Sequence, residues 1–198
     1  MINKNVLKLI YDLKIYSPIT YGHSIAVAYH SISFGKMLGL DEECIQKLMI
    51  AGLLHDIGKL MIPIDILNKS GKLTKDEYDI IKKHPLYSVY LLTKAGFKDE
   101  EVLKMILSHH ERLNGLGYPY GICEEVIPEL TKIITICDCY DAMKSKRSYK
   151  EARNIDYIKR ELLINSGGQF DSYYVDAFLT YLSAKDKNII YNKMHYAR

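Results

Sequence analysis

The sequence predicts an all-α fold, a single compact helical bundle, on three observations. Apolar residues recur with helical spacing, as in Val6, Leu7, Ile10 and Leu13. Helix-start signals precede such stretches: Asp41 stands ahead of one, and T-K-D-E at 74–77 is a capping box formed by Thr74 and Glu77. The five prolines and twelve glycines fall mostly between the periodic stretches, a pattern of helices joined by short loops.

Taken in order, a first helix is expected over 4–16, ended by Pro18, and a second over 23–38 with Ile25, Val27, Ala28, Ile32 and Met37 for packing. A third begins near Asp41, turns Ile45, Leu48, Met49 and Leu53 towards the core, and delivers His55 and Asp56 at its C-terminal end. Gly58, Pro63 and Gly71 mark an irregular loop, after which helices are expected over 75–82, 86–95 and 99–110. Gly115, Gly117, Pro119 and Gly121 make 113–127 a loop. Pro128 opens a helix to Lys144 that carries Asp138 and Asp141 on one face. The β-branched run Ile133 to Ile136 has helical context on both sides and is assigned to that helix. Two or three further helices fill 154–196, one of them capped by Asp171. Two parts are expected: an N-terminal helix or extension over 1–18 and a catalytic domain over 19–198.

The bulk numbers exclude several classes. With 48% hydrophobic and 26% charged residues the chain is an ordinary globular one. A net charge of +3 argues for neither DNA nor membrane binding. Lys4, Lys8, Asp12 and Lys14 break any N-terminal signal-peptide core. The apolar run from Leu48 to Leu54 is far shorter than the ~20 residues of a spanning helix. A cytoplasmic setting is therefore expected. Cys44, Cys123, Cys137 and Cys139 do not form a disulfide framework. The CxC of Cys137 and Cys139 lacks a second pair at zinc-binding spacing, so the Asp138 between them is the better ligand candidate.

Chemistry concentrates in two strings, HDIGK at 55–59 and HHERLNGLGYP at 109–119. A His and an Asp leaving the end of an apolar helix are costly to bury without a partner, and a metal ion removes that cost. Other motifs accompany them in order: AGLLHDIGKLMIP at 51–63, LNKSGKLTKDE at 67–77, KHP at 83–85 and DxxDA at 138–142. In this combination the chain resembles HD-GYP proteins, the branch of the HD phosphohydrolase superfamily that hydrolyses cyclic dinucleotides, chiefly cyclic di-GMP. The resemblance covers roughly 20–180.

That resemblance implies an HD-superfamily helical bundle with a GYP loop insertion, and two divalent metal ions. One ion would be held by His23, His55, Asp56 and Asp138, the other by Asp56, His84, His109 and His110, with Asp56 bridging. His30 and His195 are left as structural or exposed. Two cations about 3.5–4 Å apart can hold a phosphodiester and activate a bridging water for in-line attack on phosphorus. The donor set suits Fe, Mn, Zn, Ni or Co, and the resemblance favours Fe or Mn. Lys59 matches the lysine that contacts the scissile phosphate, and Arg147 and Lys150, with Lys146 nearby, match basic positions near the second phosphate and a guanine. Tyr118 is placed to stack on a base or to pack. Glu111 and Arg112 are expected to pair and organise the loop, and Asp141 to support the ligand helix.

Three positions depart from the family pattern. Ile19 stands where members with a third metal have a glutamate, so two metals are expected. Asn114 replaces an aspartate, and Ser88 stands where a glycine is common. No receiver or membrane sensor domain fits beside the domain, so the chain reads as a stand-alone catalytic domain or a segment of something longer. The expected activity is cyclic di-GMP phosphodiesterase, giving linear pGpG, or GMP where both diester bonds are cut. The alternatives are an HD phosphohydrolase acting on a mixed cyclic dinucleotide or a nucleotide, and a non-catalytic module that senses the dinucleotide or docks a diguanylate synthase or other regulatory protein.

Overall fold

The computed structural model describes residues 2–145 and 152–196, with side chains described up to residue 184. Among the described residues the regular elements are all helical, accompanied only by isolated β-bridges at Asn114–Cys123 and Ser166–Phe170. The α-helices are α1 (Lys4–Tyr16), α2 (Pro18–Met37), α3 (Glu42–Leu54), α4 (Ile64–Leu67), α5 (Lys75–Ile81), α6 (His84–Lys94), α7 (Glu100–Ser108), α8 (Glu129–Lys144), α9 (Ile155–Ile164) and α10 (Ser172–Tyr196). Short 3-10 turns occupy Ile57–Met61 and Glu124–Val126. No described helix is long and apolar enough to cross a membrane.

Side-chain caps set many of the boundaries. Asn3, Asp41, Asp99 and Asn154 each accept backbone N–H bonds at a helix start, a contribution of about 1 kcal/mol apiece. Thr74 and Glu77 form the expected capping box on α5. Asp171 caps α10, its Oδ1 accepting from Tyr173 and Tyr174 at 2.9 and 3.4 Å.

Two expected boundaries need correction. Pro18 both ends α1 and opens α2, because Ser17 caps the new helix and proline suits its first turn; α2 therefore starts five residues ahead of His23. The stretch after Asp56 is not irregular, since Ile57–Met61 and Ile64–Leu67 are both helical turns.

The core lies between α2, α3 and α8, where Phe34, Leu48, Leu54, Ile133 and Ile136 are fully buried. Phe178 of α10 closes it, meeting Phe34 and Tyr140 edge to face at 5.0 and 5.3 Å. Helix α1 adds Val6 and Leu13 to the same core, each stabilising by roughly 1.5–3 kcal/mol of apolar burial. Ile25, Met37 and Met49, expected to pack, point outward. Buried His30 sits edge-on to Tyr140 at 4.9 Å and is a core residue, while the side chain of His195 lies outside the described residues.

Candidate metal centre and substrate cavity

Helices α2, α3, α6, α7 and α8 converge at one end of this core and bring seven predicted side chains together: His23, His55, Asp56, His84, His109, His110 and Asp138. Three overlapping sets of them could each hold a metal ion: His84, His109 and His110; His23, His55 and Asp138; and His55, Asp56 and His109. All but His110, which is partly open, are buried.

Three of the histidines are oriented by the same local device. Each sits at a helix end and donates from Nδ1 to the carbonyl three residues back: His55 to Gly52 at 2.8 Å, His84 to Ile81 at 2.8 Å, His109 to Ile106 at 2.6 Å. That bond fixes the tautomer and leaves Nε2 as a lone pair facing the site. His23 is held differently, with Nδ1 2.7 Å from Asp141 and Nε2 2.8 Å from Asp138.

The electrostatics favour a cation. Burial pushes His84, His109 and His110 below the ordinary imidazole value, His110 to about 3, so these rings stay neutral. Burial opposes ionisation of Asp56, but the Lys59 ammonium above all holds its carboxyl well below the usual range. Asp138 is likewise held low, against its burial, chiefly by His23. Burial opposes charging of His23, yet Asp138 and Asp141 raise it above the ordinary value.

Two observations fit a metal to these residues. Nε2 of His84 and Nε2 of His109 face one another at 3.2 Å, two acceptors in contact. Nε2 of His55 and Oδ1 of Asp56 are buried without a hydrogen-bond partner. Buried polar atoms are rarely left so, and divalent cations held by the overlapping sets would satisfy them.

The HDIGK turn is clamped from α6. Ser88 Oγ donates to the His55 carbonyl at 2.7 Å and accepts from the Gly58 N–H at 2.8 Å. A Cβ on Gly58 would collide with the His84 carbonyl and the Ser88 backbone, so only glycine lets the turn lie this close. Thr135 of α8 similarly donates to the His109 carbonyl at 3.0 Å. Neither Ser88 nor Thr135 was expected to position the site; hydroxyl-to-carbonyl bonds between distant helices leave no spacing signal in a sequence.

The 113–127 loop is ordered by Glu111, which does not pair with Arg112 as expected. Its buried carboxylate accepts instead from the N–H groups of Tyr120 and Ile122 at 2.8 and 3.2 Å. Asn114 accepts from the Leu116 N–H at 3.1 Å. Gly115 adopts φ +71°, while Gly117 is required for close approach, because a Cβ there would strike the Glu111–Arg112 backbone. The Tyr118–Pro119 peptide is cis. The Tyr118 ring lies over His110, with centroids 4.6 Å apart.

A cavity of about 830 Å³ opens beside the cluster, lined at that end by Lys59, His84, His110 and Tyr118. Lys59 Nζ is 2.7 Å from Asp56 Oδ2. Ile19 also lines this cavity, half-exposed. Arg147 and Lys150 lie outside the described residues. The cysteine pair takes no part in the sets above: Cys137 is buried in the core, and Asp138 between it and Cys139 enters the site.

Comparison with known proteins agrees with this picture. The chain is 38% identical over 176 residues to the cyclic di-GMP phosphodiesterase PA4108 of Pseudomonas aeruginosa, covering 88% of this chain and 42% of that protein. It is 39% identical over 141 residues to the 3'3'-cGAMP-specific phosphodiesterase 3 of Vibrio cholerae, covering 71% of this chain and 30% of that protein. The chain thus spans less than half the length of either relative. In fold it is similar to Bd1817, a HDG"Y"P protein from Bdellovibrio bacteriovorus, with a TM-score of 0.67 at 21% identity over 82% of this chain and 52% of that one. The HD domain family matches residues 10–172, a span that takes in every one of the seven clustered side chains. By that match, and with both signature strings folded onto one site, the chain belongs to the HD domain family.

Proposed function

We propose that this chain is a metal-dependent phosphodiesterase that hydrolyses cyclic di-GMP to linear pGpG, with GMP as the product where both diester bonds are cut. The observation that carries the reading is the cluster of neutral imidazoles and ionised carboxylates, with orphaned ligand atoms, at the end of a cavity that also holds Lys59. The names of the relatives support the substrate class.

In this reading His23, His55, Asp56 and Asp138 hold one ion, and Asp56, His84, His109 and His110 hold the other. Bound there, two divalent ions would neutralise phosphate charge and supply hydroxide at neutral pH. The chain's own groups do the rest. The Nδ1 bonds of His55, His84 and His109 keep their Nε2 lone pairs aimed inward before any ligand arrives. Lys59, now on Asp56, is within the same cavity wall and turns its ammonium to the scissile phosphate as negative charge develops. Tyr118, lying over His110, walls the reacting end and keeps bulk water from it. Burial pushes its phenol up, so it stays neutral throughout. Ile19 offers no donor atom, which supports two ions and not three. Iron or manganese fits the mixed nitrogen and oxygen donors, and elemental analysis of protein purified without oxygen counts and names them together.

Hydrolysis of cyclic di-GMP by protein loaded with Mn or Fe(II) under reducing conditions is the direct test, and no turnover there sinks the reading. A panel that includes 3'3'-cGAMP decides between the two dinucleotides, the relative from Vibrio cholerae being the observation that favours the second. A non-catalytic module that docks a synthase is disfavoured by the completeness of the ligand cluster. Asp56→Ala separates the cases, since loss of metal and turnover together marks the enzyme.

A further inference from the structure

The two helices that follow the last motif, α9 and α10, supply none of the seven clustered side chains, yet the 113–127 loop is fastened to the turn between them. The two legs of the loop meet at the Asn114–Cys123 bridge. On the first leg the Asn114 N–H donates to the Gly168 carbonyl at 3.0 Å. On the second, Glu124 accepts from Lys132 of α8 at 3.1 Å, and the same ammonium donates to Asp171 at 3.0 Å. Between the legs lies Tyr118, whose N–H donates to the His110 carbonyl at 3.2 Å and whose ring lies over His110. The turn that receives both legs is itself well tied. The Asn165 carbonyl accepts from Gln169 and Phe170 at 3.0 and 3.1 Å, the Phe170 carbonyl accepts from Gly167 at 2.8 Å, and the Phe170 ring is buried.

Lys132 is an unusual clamp for a surface loop. Its side chain is only 9% exposed, and a third carboxylate, Glu129, stands 3.1 Å from Nζ. Exposed ion pairs contribute little. A largely desolvated one differs, because removing the cation leaves Asp171, itself 16% exposed, without its counter-charge. Asp171 caps α10 through its other oxygen, so one carboxylate holds both the helix start and Lys132. Thr135, three residues further along α8, shares with Lys132, Glu111 and Asp171 the border of one small gap, and it donates to the His109 carbonyl. The same face of α8 thus reaches the loop base on one side and a proposed ligand on the other.

We infer that Lys132 is a positioning residue: it clamps the base of the 113–127 loop to the α9–α10 turn and thereby keeps Tyr118 seated over His110. It touches neither metal nor substrate, and acts through the loop alone. The effect on turnover rests on the phosphodiesterase reading above, whereas the effect on the loop does not.

The test compares Lys132→Met, Lys132→Arg, Tyr118→Ala and the double variant Lys132→Met/Tyr118→Ala with the unaltered full chain, all loaded with Mn(II). In Lys132→Met, hydrogen exchange is expected to speed up about tenfold at the Asn114 and Tyr118 amides and to stay as it was in α2 and α3. Lys132→Arg restores most of the protection. Should Lys132→Met not fold, Asp171→Asn keeps an oxygen for the α10 cap and is expected to give the same exchange pattern. On cyclic di-GMP, Lys132→Met lowers kcat about tenfold with KM little changed, and it costs nothing further in the Tyr118→Ala background, because the two act as a unit. Unchanged exchange at the two amides, or a rise spread equally through α2 and α3, overturns the clamp. So does a Lys132→Met loss that adds in full to that of Tyr118→Ala, or one that Lys132→Arg does not relieve. If the unaltered chain hydrolyses no cyclic dinucleotide, the phosphodiesterase reading falls, and the exchange pattern alone decides the clamp.

Discussion

His84 and His109 meet Nε2 to Nε2 at 3.2 Å, while each Nδ1 is already spent on a carbonyl of its own chain turn. Two neutral rings thus present lone pairs to one another, and neither has a proton to give. A divalent ion between such groups stabilises the folded state alone. Mn(II) added to chelator-stripped protein is therefore expected to raise Tm. At free metal near a hundred times Kd the linkage is about 2.7 kcal/mol, or roughly 5–11 °C for a chain of this size. His109→Ala removes most of the rise. Equal rises in both proteins, read by thermal unfolding, would place the ion elsewhere.

The same burial gives the stripped protein a pH dependence. His84, His109 and His110 all have folded-state values below the ordinary 6.5. Below that pH the unfolded chain takes up protons that the folded chain refuses, so stability is full above about 6.5 and falls as pH drops. His23 works the other way. Its value is raised, so its contribution is full below 6.5 and fades as pH rises. Three groups against one make acid the destabilising direction. Urea unfolding in chelator at pH 7.5, 6.5 and 5.5 checks this, and a midpoint that holds steady or climbs on acidification contradicts it.

Ser88 is the joint between α6 and the HDIGK turn, and its hydroxyl both donates and accepts there. Ser88→Ala leaves the buried Gly58 N–H without an acceptor, a cost of about 1–3 kcal/mol. Gly58→Ala is the harsher change, because its Cβ meets backbone that cannot move aside. Chemical denaturation should rank the two in that order. A Ser88→Ala protein as stable as the parent would mean that water replaces the hydroxyl.

Glu111 holds the 113–127 loop by its backbone, not through Arg112. In Glu111→Gln an amide donor replaces one acceptor and confronts the N–H of Tyr120 or Ile122. Hydrogen exchange is expected to speed up at those two amides and at few others, with stability lower by about 1–3 kcal/mol. Unchanged exchange at both amides would assign the loop's order to its other bonds.

Much of this was legible in the residues. Helical periodicity and the Thr74–Glu77 box located α1 and α5 because both signals are local. The motifs name the residues that cluster at the cavity and are proposed as ligands, and His23 stands ahead of them on a helix that shares no local pattern with α8. What escaped was the joinery. Ser88, Thr135 and the carboxylate of Glu111 act on backbone groups, and backbone groups are the same at every position of a sequence. The start of α2 lies ahead of its expected place for a related reason: Pro18 reads as the terminator of the helix before it, whereas Ser17 caps the helix after it.

Asp141 offers the sharpest test of how the site is oriented from behind. Its Oδ2 lies 2.7 Å from His23 Nδ1 and accepts from Ser145 Oγ at 3.2 Å. With a metal bound, the carboxylate would hold the Nδ1–H of His23 and leave Nε2 for the ion, without itself belonging to any of the candidate ligand sets. Asp141→Asn preserves shape and one hydrogen bond but removes the charge. Metal affinity is expected to fall about 10–100-fold, while the fold, judged by circular dichroism, is retained. Asp138→Asn changes a proposed ligand and should lose more. Titration of stripped protein with Mn(II), followed by calorimetry, reads both. If Asp141→Asn binds as tightly as the parent, His23 is oriented by Asp138 alone, and the carboxylate three residues further along α8 serves only to fasten Ser145 at the helix end.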